Sequence, residues 1–127
     1  MYRTVELSGL TDALAEAQFR LLHIYVGNGN DDWINEIEFS KLRPYEDIVL
    51  LDVENSKSFL LEANLDRFPV VIAVGQGFYV FKANNLDEFT RMREATRVWV
   101  EAWMAHDIKV GNIDPVSYRP LGTKRHK

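Results

Sequence analysis

The chain reads as a single α/β domain built on a mixed sheet, and three observations predict it. Apolar, β-branched runs of strand length alternate with segments of helical period. A proline-led run, Arg67-Phe68-Pro69-Val70-Val71-Ile72-Ala73-Val74, meets Gly75-Gln76-Gly77 and a second run from Phe78 to Lys82, which is the pattern of a β-hairpin. A length of 127 residues with 46% hydrophobic and 27% charged residues suits one globular domain rather than a disordered chain.

Residues 2–7 alternate and predict a short edge strand. Ser8 is a candidate N-cap for a helix in which Leu10, Ala13, Leu14 and Ala17 recur at helical spacing. Residues 19–26 (FRLLHIYV) are nearly all apolar, as a strand buried on both faces would be. They stop at Gly27-Asn28-Gly29-Asn30-Asp31-Asp32, a loop by composition, where Asn30 or Asp31 can cap the next helix. Trp33, Ile34 and Ile37 give that helix an apolar face, Leu42 lies near its end, and Pro44 terminates it. Residues 48–53 (IVLLDV) predict a second buried strand, followed by a short helix over 57–64 with Phe59, Leu60 and Ala63 inward.

Pro69 lacks an N–H and suits the first position of the next strand. Gly75 and Gly77 are expected to supply positive φ in the reversal. Asn84-Asn85 then caps a long helix over 86–106, with Leu86, Phe89, Met92, Trp99 and Trp103 as its stripe and Val100 and Met104 widening it. Residues 111–127 predict an extended tail laid over the domain through Tyr118 and Leu121. The expected order is β-α-β-α-β-α-β-β-α, with parallel pairing, an antiparallel hairpin edge and helices on both faces. The expected division is a domain over 1–107 and a C-terminal tail over 108–127.

The bulk properties exclude several functions. There is no cysteine, so disulfides, thiolate metal sites and thiol catalysis are ruled out. A net charge of −4 and a pI near 5.3 argue against nucleic acid as a partner. No apolar run approaches membrane-spanning length and the N-terminus does not read as a signal peptide, so no membrane partner and a cytoplasmic location are expected.

The order of elements, taken with particular residues, resembles the thioredoxin family from about Val5 to Met104. Leu21 to Val26 resembles the strand that leads to the family's active-site loop. Leu51-Asp52-Val53-Glu54-Asn55 resembles its next strand and polar exit. Phe68-Pro69-Val70-Val71 is similar to its Ile-Pro-Thr-Leu-type segment, and Gly75-Gln76-Gly77 to its hairpin turn. The resemblance implies a cis Phe68–Pro69 bond lying beside the loop that follows the central strand. It fails where the chemistry of the family lies. The positions of the Cys-x-x-Cys motif fall on Asn30 to Trp33, and the strand below carries His23 and no acid. Dithiol exchange needs a thiolate and a resolving thiol, so that activity is not carried over.

In the family this face holds an extended peptide through backbone pairing, which needs no cysteine. The resemblance therefore makes Asn28, Asn30, Asp31, Asp32, Trp33, Phe68 and Pro69 candidate partner-binding residues. For Trp33 the alternatives are a surface anchor and a core residue at a helix start. The Asn28–Asp32 cluster carries oxygen donors but lacks calcium-loop spacing, and it reads as a loop and N-cap. His23 reads as a buried core histidine with no nucleophile beside it. The function expected is a redox-inactive, protein-binding accessory, assembly or regulatory module. No cofactor is expected and no enzymatic activity. Two alternatives stay open. One is a thiol-independent, glutathione-binding enzyme of transferase type, with Tyr25 as the group near the sulfur. The other is a structural subunit of a viral or multiprotein assembly, and the apolar C-terminal helix is a candidate face for self-association.

Overall fold

A computed structural model describes residues 3–5, 12, 15, 20–27, 33–51, 69–75, 78–119 and 121. Among the described residues five strands form one sheet: β1 (Arg3–Val5), β2 (Leu21–Val26), β3 (Glu46–Leu51), β4 (Val70–Gly75) and β5 (Phe78–Ala83). Their spatial order is β1-β3-β2-β4-β5. β1 and β2 each run parallel to β3, whereas β4 is antiparallel to both β2 and β5. The sheet is therefore mixed, as the alternation and the hairpin predict. β2 lies at its centre, and all six of its residues are buried, which explains their unbroken apolar run.

A long helix, Leu86–Lys109, packs against the sheet through Phe89, Val100 and Met104, all buried. Its N-terminus is capped as the sequence predicts. Asn85 accepts a hydrogen bond from the Glu88 N–H at 2.8 Å, and the Glu88 carboxylate accepts in return from the Asn84 N–H at 2.7 Å. The buried line departs from the predicted stripe at one place: Trp99 is 49% exposed. Eleven residues beyond Phe89 the helix returns to nearly the same heading, at Val100, whereas Trp99 points about 80° away. Trp99 instead leans edge-on against the half-buried Trp103, with ring centroids 5.0 Å apart.

Three further expectations need correction. The predicted helix from Trp33 is two short 3-10 turns, Trp33–Glu36 and Phe39–Lys41. Tight bonds from the Ile37 N–H to the Ile34 carbonyl (3.3 Å) and from the Lys41 N–H to the Glu38 carbonyl (2.9 Å) belong to them. So short a connection forms too few bonds to repay helix nucleation, and burial of Trp33, Ile34 and Ile37 fixes its shape instead. The third strand begins at Glu46, two positions before the predicted Ile48, because the charges of Glu46 and Asp47 are paired within the fold. The segment after the helix is not extended. It turns back on itself: the Asp114 carboxylate accepts from the Val116 and Ser117 N–H groups, the Tyr118 N–H bonds the Asp114 carbonyl, and the Leu121 N–H bonds the Asn112 carbonyl. Ile113 is fully buried and the Tyr118 ring meets Tyr45 edge-on at 5.6 Å.

The foot of β2 carries a buried cation. Arg20 is 3% exposed and its five guanidinium N–H groups find five acceptors. Two bonds run to the Asp47 carboxylate (2.7 and 3.0 Å) and one to the Pro44 carbonyl (2.8 Å). Two more reach the Ser117 and Tyr118 carbonyls (3.2 and 3.3 Å), which ties the C-terminal segment to the sheet. Tyr118 holds φ at 60°, which costs a non-glycine residue strain that the surrounding contacts must offset.

Gly75 is required for a reason other than the one predicted. Its φ is not in the positive region, which among the described glycines is occupied by Gly111. A Cβ on Gly75 would instead lie 2.7 Å from Cζ3 of Trp103 and 3.2 Å from the Arg20 carbonyl oxygen. Gly75→Ala is accordingly expected to destabilise the fold by about 1–3 kcal/mol through overpacking, read as a lower urea midpoint at unchanged slope. A midpoint equal to that of the parent chain would contradict it.

The helix predicted over 57–64, residues 52 and 53, and the Gly75-Gln76-Gly77 turn beyond Gly75 lie outside the described residues. Of the helix predicted around Leu10 to Ala17, Asp12 and Ala15 are described and both are helical. No helix among the described residues is long and apolar enough to cross a membrane.

Candidate functional site

The register of β2 on β4 positions the candidate site. Val26 pairs with Val70, so the chain leaves β2 at Gly27 directly beside the point where it enters β4 from Pro69. The loop after the central strand and the proline turn therefore start side by side. The Pro69 carbonyl is held at 3.2 Å by the Asn84 side-chain amide, one residue before the helix cap. Trp33 approaches the same helix through Phe89. It stacks edge-on against Tyr25 at 5.1 Å and lies 5.9 Å from the Phe89 ring, with 9% of its surface exposed. Of the two alternatives weighed for Trp33, the structure places it in the core. The first turns of the long helix are thus where both candidate segments converge, through Asn84 on Pro69 and Phe89 on Trp33. Asn28, Asn30, Asp31, Asp32 and Phe68 lie outside the described residues, as does the bond between Phe68 and Pro69.

At the start of β3, beside Leu21 at the other end of β2, lies a buried charge network that the sequence did not suggest. The Glu46 carboxylate is gripped at both oxygens by Arg93, at 2.5 and 2.8 Å, and also accepts from the Arg43 N–H at 2.8 Å. Its fourth partner is Nε2 of His23 at 2.9 Å, on the neighbouring strand. Burial alone would raise the Glu46 carboxyl, but the hydrogen bonds from Arg93 and His23 outweigh it and hold the group well below the usual carboxylate range. His23 is fully buried between Phe89 and Phe81, at 5.0 and 5.8 Å, so the expectation of a core histidine holds. Its Nδ1 has no hydrogen-bond partner, and neither does Nε1 of Trp33. Arg93 could have been found from the sequence, because it falls four residues beyond Phe89 on the buried side of the helix and lies over that ring at 5.7 Å. Glu46 carried no such signal. Among the described residues no three His, Asp or Glu side chains are placed to hold a metal ion.

No protein-family model matches this chain, and no curated protein sequence does. Solved structures do. Fasciola hepatica thioredoxin superposes over 76% of this chain and 98% of its own, at a TM-score of 0.60 and 16% identity. The short form of thioredoxin f from spinach chloroplast covers 76% and 93%, at a TM-score of 0.64 and 10% identity. Schistosoma mansoni thioredoxin covers 76% and 95%, at 0.57 and 15%. The chain has the thioredoxin fold. It is a cysteine-free version, so no thiolate is available anywhere in its 127 residues for dithiol exchange. What a thioredoxin fold without thiols keeps at this face is shape and backbone: one chain segment leaving β2 beside another entering β4, with the Pro69 carbonyl fixed by Asn84.

Proposed function

We propose that this chain is a protein-binding module, an accessory, assembly or regulatory subunit that uses a thioredoxin fold without its redox chemistry. The observation that carries the reading is the Val26–Val70 register, which sets the Gly27 exit beside Pro69 in a chain that has no cysteine. Backbone groups around such a proline turn can pair with an extended segment of another protein whether or not a thiol is present. The fixed Pro69 carbonyl supports this, because a pre-set backbone loses less entropy on binding than a free one. The glutathione alternative gains nothing from the structure, since Tyr25 is buried against Trp33 rather than presented to a ligand.

The purified chain is expected to leave insulin disulfides unreduced above the rate of added thiol alone; measured turnover would overturn the redox-inactive part. Binding is tested with a photo-crosslinking amino acid replacing Phe68 and, in a separate bait, the exposed Val116 of the C-terminal turn. In lysate of the native host, adducts to a defined protein should form from position 68 and not from position 116. Equal capture at both positions, or capture at neither, would reject the proposed face.

A further inference from the structure

A cavity of 280 Å³ opens between the two 3-10 turns and the first turns of the long helix. Ile37, Leu86 and Phe89 supply its apolar surface. Leu86 directly follows the Asn84-Asn85 cap that holds the Pro69 carbonyl, and Phe89 is the ring against Trp33, so the cavity adjoins the face described above. Its size is slightly below the roughly 300–1,000 Å³ of pockets that enclose whole small molecules, and it suits a single large side chain. The charges around it fix the sign of what comes with that side chain. Arg93 reaches the cavity, but its charge is spent on Glu46, so it offers nothing to an anion. Lys41 is paired with Glu38 at 2.6 Å, and both are exposed, which makes the pair weak and open to exchange. Glu36 is exposed and has no ion-pair partner among the described residues. Among the described residues the rim is therefore net acidic.

We infer that this cavity is a specificity pocket that takes one large apolar side chain of a bound protein segment, with a lysine or arginine beside it on the rim at Glu36 and Glu38. The inference rests on the reading of the neighbouring face as a protein-binding surface, and it names the sequence chemistry that surface selects. The apolar side chain fills the space over Ile37, Leu86 and Phe89, and the cation meets the unpaired carboxylate. Backbone pairing at Pro69 gives affinity without choice of sequence; the pocket supplies the choice.

The test is selection of phage-displayed random heptapeptides on the immobilised full-length chain, followed by amide shift mapping with the enriched peptide. Enriched sequences should carry Leu, Phe or Met next to Lys or Arg. Thr90→Trp, an exposed helix substitution that fills the cavity, should weaken the selected peptide at least about tenfold. Glu36→Lys with Glu38→Lys should move the flanking preference towards Asp and Glu. Peptides enriched without an apolar-basic pattern, or bound equally well by Thr90→Trp, would overturn the pocket while leaving the face intact. Shifts confined to Glu36, Thr90 and Arg93, with none at Gly27 or Val70, would support the pocket and reject the face. No enrichment on the parent chain would overturn both.

Discussion

Replacing Glu46 with glutamine should lower the unfolding free energy at pH 7 by about 3–5 kcal/mol, the largest loss expected from any single charge among the described residues. Glu46 has a side chain 1% exposed and four hydrogen-bond partners, three of them side-chain nitrogens of Arg93 and His23. Removing its charge leaves the Arg93 guanidinium, itself only 14% exposed, without its counter-ion. The pH dependence follows from the direction of the Glu46 shift. Its folded carboxyl is held well below its ordinary value of 4.5, so the folded state binds fewer protons than the unfolded state in acid. The stabilisation is fully present above about pH 5 and is lost as the pH falls further below that ordinary value. Urea midpoints of the parent chain and Glu46→Gln should therefore differ most near neutrality and converge in acid. A gap that stays constant with pH, or a loss below about 1 kcal/mol at pH 7, would contradict this account. The paired change Glu46→Leu with Arg93→Met should be much less costly than Glu46→Leu alone, because it removes both charges instead of stranding one.

Arg20→Met should be comparably damaging, at about 3 kcal/mol, but the damage should be local in origin. Methionine keeps the apolar stem and loses all five bonds, three of them to the Pro44, Ser117 and Tyr118 carbonyls. Hydrogen bonds to a charged group contribute about 1.5–3 kcal/mol each at most and do not add fully within one network. The C-terminal turn then loses its tie to the sheet, and the strained Tyr118 loses the contacts that offset its φ. Limited proteolysis should cut Arg20→Met between 110 and 121 well before the parent chain is cut there. Equal resistance in the two proteins would show that the packing of Ile113 and Tyr45 holds the segment without the cation.

The strands were legible because their apolar, β-branched runs have no other economical use in a chain of this size. Leu21–Val26 and Val70–Gly75 match their predicted runs closely, and the Asn85 cap was readable from its residue type and place. What sequence could not show was pairing across the fold. Glu46 and Asp47 fall between the predicted end at Pro44 and the predicted strand start at Ile48, yet each meets an arginine more than twenty positions away in sequence. The 3-10 turns after Trp33 share the spacing of a helix, and only tertiary packing separates the two. Gly75 read as a turn glycine because nothing local announces the approach of Trp103. At the candidate site, the resemblance set the loop from Asn28 to Trp33 beside Phe68-Pro69; Asn28 to Asp32 and Phe68 lie outside the described residues, and the β2–β4 register shows Val26 paired with Val70. The Asn84 contact and the cavity over Phe89 were not foreseen, since both depend on how the helix seats on the sheet.

Ile113, wholly enclosed although it follows the long helix, sets an order on biosynthesis. A ribosome releases the strands first, and the nascent sheet must wait for residues 113–118 to emerge before Arg20 finds its last acceptors and the apolar interior is sealed. A chain cut after Lys109 would lack Ile113 and two of the five Arg20 acceptors, and would leave this end of the apolar interior open.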